Sequence, residues 1–327
     1  MVMLKDVGEK EALMRIRNIV GRSRYLNFPD DAISIRFNEK FLVINIDGFS
    51  FKYSKYYWMD LYDLGWKAAA ASISDIVAKG GKPVITASSI GFRKNRSIKE
   101  LRRVVKGLKN SSTYHGASYL GGDLNETPRD EWIDALTIGI SEKPPIPRKS
   151  RRHVRKGDIV LTWGNYGLTG VALHAHYNKV HLGSWRKVLE KTKRPKVDLK
   201  VLEFIEEIRR YIRSSQDVSD GLAETLWELS KVNDIGFKIT HIPVDEEAVE
   251  YAKSYGLNPI DLALYGGEEY NIVFVVAKEI EGKLSQLKRV YDKLNVLGEV
   301  ISEKTVYVEI KGEKKQVGRG WEYFRNK

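Results

Sequence analysis

Aspartates are the residues of this sequence whose placement suggests chemistry. Asp47 closes the apolar run 41–46, and Asp75 lies within the small and apolar segment 68–78, where an acid is costly to bury without a partner. Carboxylates at strand ends and loop tips are the usual ligands of Mg²⁺, which needs few protein ligands when phosphates supply the rest. Any single acid could instead be a helix cap or a turn residue, but the set predicts a metal–phosphate site. Its members are Asp30, Asp47, Asp75, Asp123, Asp217 and Asp220.

Glycines stand beside several of these acids. Gly122 precedes Asp123 and Gly221 follows Asp220, and further glycines lie in the segment 266–269. Glycine lets backbone N–H groups approach phosphate oxygens, and a following helix N-terminus adds a favourable dipole. The sequence has neither a GxxxxGK[ST] P-loop nor a GxGxxG between a strand and a helix. Any ATP site must therefore be of another kind.

Short β-rich runs alternate with helical patterns along the chain, which predicts an α/β or α+β protein. The segment 141–156 interrupts this alternation with three prolines and a run of bases, which is typical of a linker or a solvated loop. We therefore expect two domains, residues 1–147 and 148–327, with the acidic site in the cleft between them. Predicted strands are 32–37, 41–46, 83–90, 117–120, 135–140, 158–162, 237–242, 271–276 and 305–310. Predicted helices are 9–20, 61–79, 98–114, 167–177, 199–214, 221–231, 245–255 and 279–294.

The composition narrows the class of protein. The 327 residues carry 55 Lys+Arg against 43 Asp+Glu, a net charge of +12, with 42% hydrophobic residues and no cysteine. That hydrophobic share excludes a disordered or fibrous chain, and the missing cysteines exclude disulfides, zinc–thiolate sites and cysteine nucleophiles. No run approaches the ~20 apolar residues of a membrane span, and the N-terminal segment is unlike a signal peptide. We therefore expect a cytoplasmic protein that has no membrane partner.

The excess of bases raises the alternative of a nucleic-acid-binding protein, with runs at 148–156 and 186–196 as candidate patches. These runs lack the interleaved aromatic residues of a single-strand platform, and no helix-turn-helix or RNA-binding motif is present. Runs of this kind are more often solvated surface. We interpret them in that way and do not expect a nucleic acid as partner.

Seven motifs occur together in the order seen in thiamine-monophosphate kinases, a family in the superfamily of aminoimidazole ribonucleotide synthetase. The sequence resembles that family from Asp30 to the closing segment 320–324. The serine–aspartate helix, the DxSDGL element and the GGEEY element are specific in combination. The motifs are 29–32 (PDDA), 46–47 (ID), 64–68 (LGWKA), 72–83 (SISDIVAKGGKP), 121–123 (GGD), 217–222 (DVSDGL) and 266–270 (GGEEY).

The resemblance implies a homodimer paired through the sheet of the first domain, and transfer of the γ-phosphoryl group of ATP onto thiamine phosphate, in line and without a phospho-enzyme. It implies that the six aspartates hold Mg²⁺ around the triphosphate, with Asp30, Asp75 and Asp217 as the catalytic acids. Contacts to ATP would come from Gly122, Asp123, Arg151 and Ser219. Contacts to thiamine phosphate would come from Ser54, Glu268 and Trp321. Phosphoryl transfer needs charge neutralisation and alignment more than acid–base chemistry. Aspartates that hold Mg²⁺ around the triphosphate are therefore sufficient for this reaction.

One departure from the family concerns the acceptor. The family commonly has a histidine shortly after the Asp47 position, where this sequence has Ser54 and no histidine. Lys52, Lys55 or Arg93 could hold the acceptor phosphate instead, or the acceptor could differ. The open alternatives are another ATP-dependent enzyme of the superfamily, a non-catalytic member, and a nucleic-acid-binding protein. Selenophosphate synthetases and the hydrogenase maturation protein are disfavoured because they rely on a cysteine or selenocysteine.

Overall fold

The computed structural model describes residues 2–21, 23–28, 30–322 and 324, so Pro29 and Tyr323 of the motifs above lie outside the described residues. Its first half contains the strands β1 (Ile33–Phe37), β2 (Lys40–Ser50), β3 (Lys82–Phe92), β4 (Ser118–Glu126) and β5 (Trp132–Ser141). The helices of this half are α1 (Leu4–Ile16), α2 (Phe51–Ser54), α3 (Leu61–Ala78) and α4 (Ile98–Tyr114). The strands form one sheet in the order β1-β2-β5-β3-β4, in which β3 and β4 are parallel and the other neighbours antiparallel.

Helix α3 is buried along nearly its whole length, between this sheet, α4 and the second half of the chain. It begins at a capping box in which Asp60 accepts hydrogen bonds from the N–H groups of Tyr62 and Asp63. A Cβ at Gly65 would lie 2.0 Å from the carbonyl oxygen of Val104 in α4, so the two helices approach closely only because glycine stands there. The small residues of α3 therefore bring its polar side chains deep into the protein.

The other face of the first sheet carries large apolar side chains that no part of the described chain covers. Ile46 and Leu120 are 67% and 70% exposed, and Ile33 and Ile35 of β1 are about half exposed. Along β2 these positions alternate with the buried side chains that face α3. A sheet with apolar residues on both faces is typical of a sheet that is covered on both sides.

The second half contains the strands β6 (Ile159–Trp163), β7 (Ile212–Asp217), β8 (Gly236–Ile239), β9 (Ile272–Val276), β10 (Leu294–Ile301), β11 (Val306–Ile310) and β12 (Glu313–Gln316). They form one mixed sheet in the order β12-β11-β8-β10-β6-β9-β7. The helices are α5 (Leu168–Asn178), α6 (Arg186–Lys193), α7 (Val201–Ile208), α8 (Leu222–Asn233), α9 (Glu246–Tyr255), α10 (Pro259–Tyr265) and α11 (Leu284–Val290), with a 3₁₀-helix at Lys278–Lys283. Together the two sheets and their helices confirm the predicted α/β class.

The two halves share one hydrophobic core. Ile73 and Val77 of α3 belong to the same buried cluster as Ile272 and Phe274 of β9. Among the described residues no helix combines the length and the apolar character that crossing a bilayer requires. Helix α3 is therefore the element that carries contacts from one sheet to the other.

Two predicted helices extend too far at their C-terminal ends. The segment predicted as one helix over 199–214 divides into α7 and β7, and the segment 279–294 divides into the 3₁₀-helix, α11 and the start of β10. Neither segment has a glycine or proline directly before its strand, so the sequence contains no local signal for the change from helix to strand. The strands form because β9 and β6 offer neighbouring edges to them, which is a tertiary effect.

The segment 141–156 is largely exposed, as its composition predicts, but part of it is buried. It has no regular secondary structure beyond the end of β5, but Ile146 is buried and the Arg148 side chain is 15% exposed. The basic run 186–196 is also more ordered than predicted, since α6 buries Val188 and Thr192. Periodic apolar positions within these charged stretches allow them to pack.

A buried histidine joins the first half to the segment before α7 and should make stability sensitive to acid. His115 Nδ1 donates to the Ser111 carbonyl at 2.7 Å, and Nε2 accepts from the Val197 N–H at 3.0 Å. Burial lowers the pKa of His115 to about 4 from an ordinary value of 6.5. Between these values the unfolded chain binds a proton that the folded chain does not, so stability is lost as the pH falls through this window.

We expect the wild-type protein to lose about 2 kcal/mol more free energy of unfolding than His115→Gln between about pH 7.5 and about pH 5, at 1.36 kcal/mol per pKa unit. Urea unfolding at both pH values measures this difference. Identical pH dependence in the two proteins would show that His115 does not carry the effect.

Candidate metal and phosphate site

Three carboxylates from distant parts of the chain meet where the two halves join. Asp31 precedes β1, Asp75 lies in the last turns of α3, and Asp217 ends β7. One oxygen of each lies within 4.8 Å of the others. Asn45 Nδ2 donates to Asp75 Oδ2 at 2.7 Å, and Ser74 Oγ donates to Asp217 Oδ2 at 3.0 Å. We call Asp31, Asp75 and Asp217 the acidic group.

Two cations balance the charge beside the acidic group. Lys79 is fully buried, and its Nζ lies 2.7 Å from Asp30 Oδ1 and 2.6 Å from Asp31 Oδ2. Its Nζ also donates to the Ser215 carbonyl at 3.0 Å. The Arg148 guanidinium pairs with the second oxygen of Asp31, and the Arg148 N–H donates to Asp30 Oδ2 at 2.9 Å. Asp30 is thus engaged by Lys79 and Arg148 on both oxygens, and its neighbour Asp31 occupies the acidic group.

The carboxylates of the site perturb one another. Burial, followed by the charges of Asp217 and Asp47, raises the pKa of Asp75 well above its usual range. Burial also raises the pKa of Asp217, and burial together with the charge of Asp217 raises the pKa of Asp47 to about 7. Acids packed so closely take up protons unless a cation shares the site. This arrangement is therefore suited to a divalent cation.

The remaining predicted metal ligands lie at different places around the acidic group. Asp47 is on β2, on the side of the sheet that faces α3, and its Oδ1 accepts from the Gly48 N–H at 2.7 Å. Asp123 lies in the strand row that contains Gly48 and Asp134, on the apolar side of the sheet. Asp220, before α8, lies 3.6 Å from the Nζ of Lys10. Neither Asp123 nor Asp220 is brought into the acidic group.

The predicted ATP contacts come from three segments. Gly122 has φ 154°, and a Cβ there would lie 1.7 Å from the Ser88 carbonyl oxygen, so only glycine fits this position of β4. The Ser219 carbonyl accepts from the Glu268 N–H at 2.6 Å. Arg151 donates to the Pro145 carbonyl at 3.2 Å and its guanidinium lies over the Tyr25 ring at 5.7 Å. Arg151 is therefore held by the segment before it.

Two of the residues predicted to contact thiamine phosphate, Ser54 and Glu268, bind the same buried lysine. Lys67 of α3 donates to the Ser54 carbonyl at 2.6 Å and to both oxygens of Glu268, at 2.8 and 3.0 Å. Trp321 is 43% exposed and follows Gly320, which packs against the backbone of Asp220. The Glu268 N–H donates a hydrogen bond to the Ser219 carbonyl, next to Asp220. The loops that carry Glu268 and Trp321 therefore both contact the turn before α8.

The sequence predictions missed several residues of the site. They are Asp31, Asn45, Lys67, Lys79 and Arg148. The sequence does contain a signal for Lys67 and Lys79. A lysine within or next to a small and apolar helix needs a buried acid as partner, just as Asp75 needs a cation. For Arg148 no such signal exists in a run of bases.

Comparison with known proteins decides the family. Residues 29–141 match the AIR synthase related protein, N-terminal domain, and residues 155–311 match its C-terminal domain. The thiamine-monophosphate kinase of Pyrococcus horikoshii is 31% identical over 301 residues, which are 90% of this chain and 90% of that protein. The chain belongs to the thiamine-monophosphate kinase family. The predicted recognition and the prediction of an enzyme are thereby confirmed.

Solved structures related to this thiamine-monophosphate kinase family member have the same fold. The crystal structure of tt0281 from Thermus thermophilus has a TM-score of 0.84 at 28% identity and covers 94% of this chain, with 98% of its own chain matched. AaThiL complexed with AMPPCP and TMP has a TM-score of 0.83 at 23% identity, with 99% of both chains covered. At that identity the second likeness supports the fold alone.

Proposed function

We propose that this protein transfers the γ-phosphoryl group of ATP to thiamine phosphate, and that the acidic group holds Mg²⁺ for this reaction. The observation that carries the proposal is the meeting of Asp31, Asp75 and Asp217 between the two halves of a member of this kinase family. A relative of the same fold binds AMPPCP and TMP. Further proposals are a division into domains at residues 147 and 148 and a cytoplasmic location.

The residues of the acidic group fit Mg²⁺. Their ligand atoms are carboxylate oxygens, which this cation prefers. Asn45 Oδ1 is buried beside them and has no hydrogen-bond partner among the described residues, so a carbonyl-type oxygen is also available. Asp31, Asp75 and Asp217 would hold the ion, with Asp47 at the side of the site. Bound Mg²⁺ supplies charge neutralisation and alignment of the phosphates.

The side chains around the acidic group fix its geometry. Asn45 and Ser74 each donate to one oxygen of a carboxylate and so set the direction of the other oxygen. Lys79 and Arg148 each pair with one oxygen of Asp31 and so fix its position. In the proposed reaction an oxygen of thiamine phosphate attacks the γ-phosphorus, the bond from that phosphorus to the β–γ bridging oxygen breaks, and ADP leaves. Since the attacking phosphate oxygen carries no proton at neutral pH, no general base is required.

The test is direct. The purified protein is incubated with ATP, Mg²⁺ and thiamine phosphate, and thiamine diphosphate is measured by chromatography, with a sample lacking Mg²⁺ as control. We expect product only when Mg²⁺ is present. ATP consumption with another phosphorylated acceptor and no thiamine diphosphate would refute this acceptor, and tight salt-sensitive RNA binding without ATP dependence would favour the nucleic-acid alternative.

We further propose that the apolar side of the first sheet is covered by a second copy of the chain. Four large apolar side chains of that side, Ile33, Ile35, Ile46 and Leu120, are about half exposed or more, whereas a monomer rarely leaves such a patch open. The patch lies on one sheet, so a twofold axis through it would bring like strands together. Ile46 is near its centre because β2 is an inner strand.

Ile46→Asp should convert the dimer to a monomer, because it would place a charge in the buried interface. Light scattering with size-exclusion chromatography measures the mass. Ile98→Asp is the matched control, since Ile98 is 66% exposed at the start of α4 and Ile46 is 67% exposed. A wild-type monomer, or a dimer that persists in Ile46→Asp, would contradict the proposed interface.

A further inference from the structure

Lys67 is a buried cation that the reaction described above does not use. Its side chain is 1% exposed, and its Nζ lies 4.7 Å from the Phe49 ring centroid and 5.8 Å from the Tyr56 ring centroid. Its polar partners are the Ser54 carbonyl and the Glu268 carboxylate. An ammonium ion so far from water is stable only because Glu268 neutralises it, and the pair therefore stays together.

Glu268, the partner of Lys67, has a strained backbone conformation. Glu268 has φ 63°, in the left-handed region that non-glycine residues seldom adopt. Two contacts keep it there, namely the bond from its N–H to the Ser219 carbonyl and the bidentate contact with Lys67. The Glu268 side chain is 29% exposed although Lys67 contacts both of its oxygens, so a ligand can still reach it from solvent. Strain of this kind concentrates where a side chain must point in one direction.

Helix α3 sets the distance between Lys67 and the acidic group. Ser74 lies two helical turns after Lys67, almost on the same side of the helix, about 10 Å along its axis. Ser74 bonds to Asp217, so one rigid helix contacts the second half of the chain at two points. One point is the acidic group, and the other is Glu268.

We infer that Lys67 is a positioning residue, which orients Glu268 toward the acceptor and fixes its distance from the acidic group. This inference rests on the proposed function and on the contact between Glu268 and thiamine phosphate that the family resemblance implies. Lys67 acts through Glu268 and does not touch a phosphate, because its Nζ is enclosed by two rings, a carbonyl and a carboxylate.

The test measures KM and kcat for both substrates in Lys67→Met, Glu268→Gln and the double variant. We expect the KM for thiamine phosphate to rise about tenfold to a hundredfold in Lys67→Met while the KM for ATP changes less than about threefold, because the acidic group is unaffected. In the Glu268→Gln background, Lys67→Met should have little further effect, since the group through which it acts is already changed. Lys187→Met, which removes an exposed lysine paired with Asp245, is the control.

Each result has a distinct meaning. Additive effects in the double variant, or equal changes in the KM for ATP and for thiamine phosphate, would overturn the role of Lys67. An active wild type with an unchanged Lys67→Met would do the same. No thiamine diphosphate from the wild type would overturn the proposed function and this role with it. If Lys67→Met does not fold, Lys67→Gln keeps a donor for the Ser54 carbonyl and carries the same expectation.

Discussion

Replacing Asp75 with Asn should abolish turnover and leave the protein at least as stable as the wild type. Burial and the charge of Asp217 raise the pKa of Asp75, so its ionised form destabilises the metal-free fold. Asparagine has the same shape without the charge, and it can still accept the hydrogen bond from Asn45. A proposed Mg²⁺ ligand is lost, and we expect kcat to fall by about 1000-fold or more, or about 4 kcal/mol at 1.36 kcal/mol per tenfold.

Two measurements separate loss of the metal from loss of the fold. In the absence of Mg²⁺ the Tm of Asp75→Asn should equal or exceed that of the wild type, whereas the rise in Tm on adding Mg²⁺ and ATP should be lost. Asp63→Asn is the matched control because Asp63 is a buried acid of the same helix. It accepts from the Asp60 N–H in the capping box, so its replacement should lower the Tm and leave kcat near the wild-type value. A fully active Asp75→Asn would show that Asp75 binds no metal.

The sequence patterns put Asp75 and Asp217 into the same predicted set, and the structure brings their carboxylates together. Asp75 lies in a small and apolar helix, and Asp217 lies between a strand and a helix that begins with glycine. The sequence does not show which of Asp30 and Asp31 belongs to the acidic group. The two follow one another in a loop without periodicity, and which carboxylate turns inward depends on where Lys79 meets them.

The same limit explains why the counter-ions were missed. Arg148 stands in a run of bases whose composition predicts exposure, and it is buried because Asp31 and Glu228 come from segments far away in the chain. Burial raises the pKa of Glu228, but the charges of Arg148 and Lys10 outweigh it and hold that pKa at about 2. Local patterns predict which residues need a partner, whereas the identity of the partner follows from the tertiary fold.

Lys79→Met should cause the largest loss of stability among substitutions of the charged residues discussed above. Lys79 is fully buried and pairs with Asp30 at 2.7 Å and Asp31 at 2.6 Å. Methionine fills the same volume but leaves two buried carboxylates with less compensation. Removal of one partner from a buried pair costs about 3–5 kcal/mol, and we expect the Tm in calorimetry to fall by about 4–7 °C for a chain of this length.

Lys40→Met is the control, because the Lys40 ion pair has the same contact distance as the Lys79–Asp30 pair but is exposed. The Nζ of Lys40 also lies 2.7 Å from a carboxylate oxygen, that of Glu142, but both side chains are more than half exposed. Water compensates the remaining charge there, so the loss should stay below about 1 kcal/mol. Equal decreases in Tm for the two variants would show that contact distance, rather than burial, determines the strength of these pairs.

The Lys79→Met variant also tests whether Lys79 and Mg²⁺ compete for the charge of Asp31. Lys79 and a Mg²⁺ ion in the acidic group would both draw on the charge of Asp31, so each weakens the hold of the other. Without the lysine the acidic group carries more net negative charge and should bind a cation more strongly. We therefore expect Mg²⁺ to raise the Tm of Lys79→Met by more than it raises that of the wild type. An equal or smaller rise would mean that Asp31 does not bind the metal and that its role is to neutralise Lys79 and Arg148.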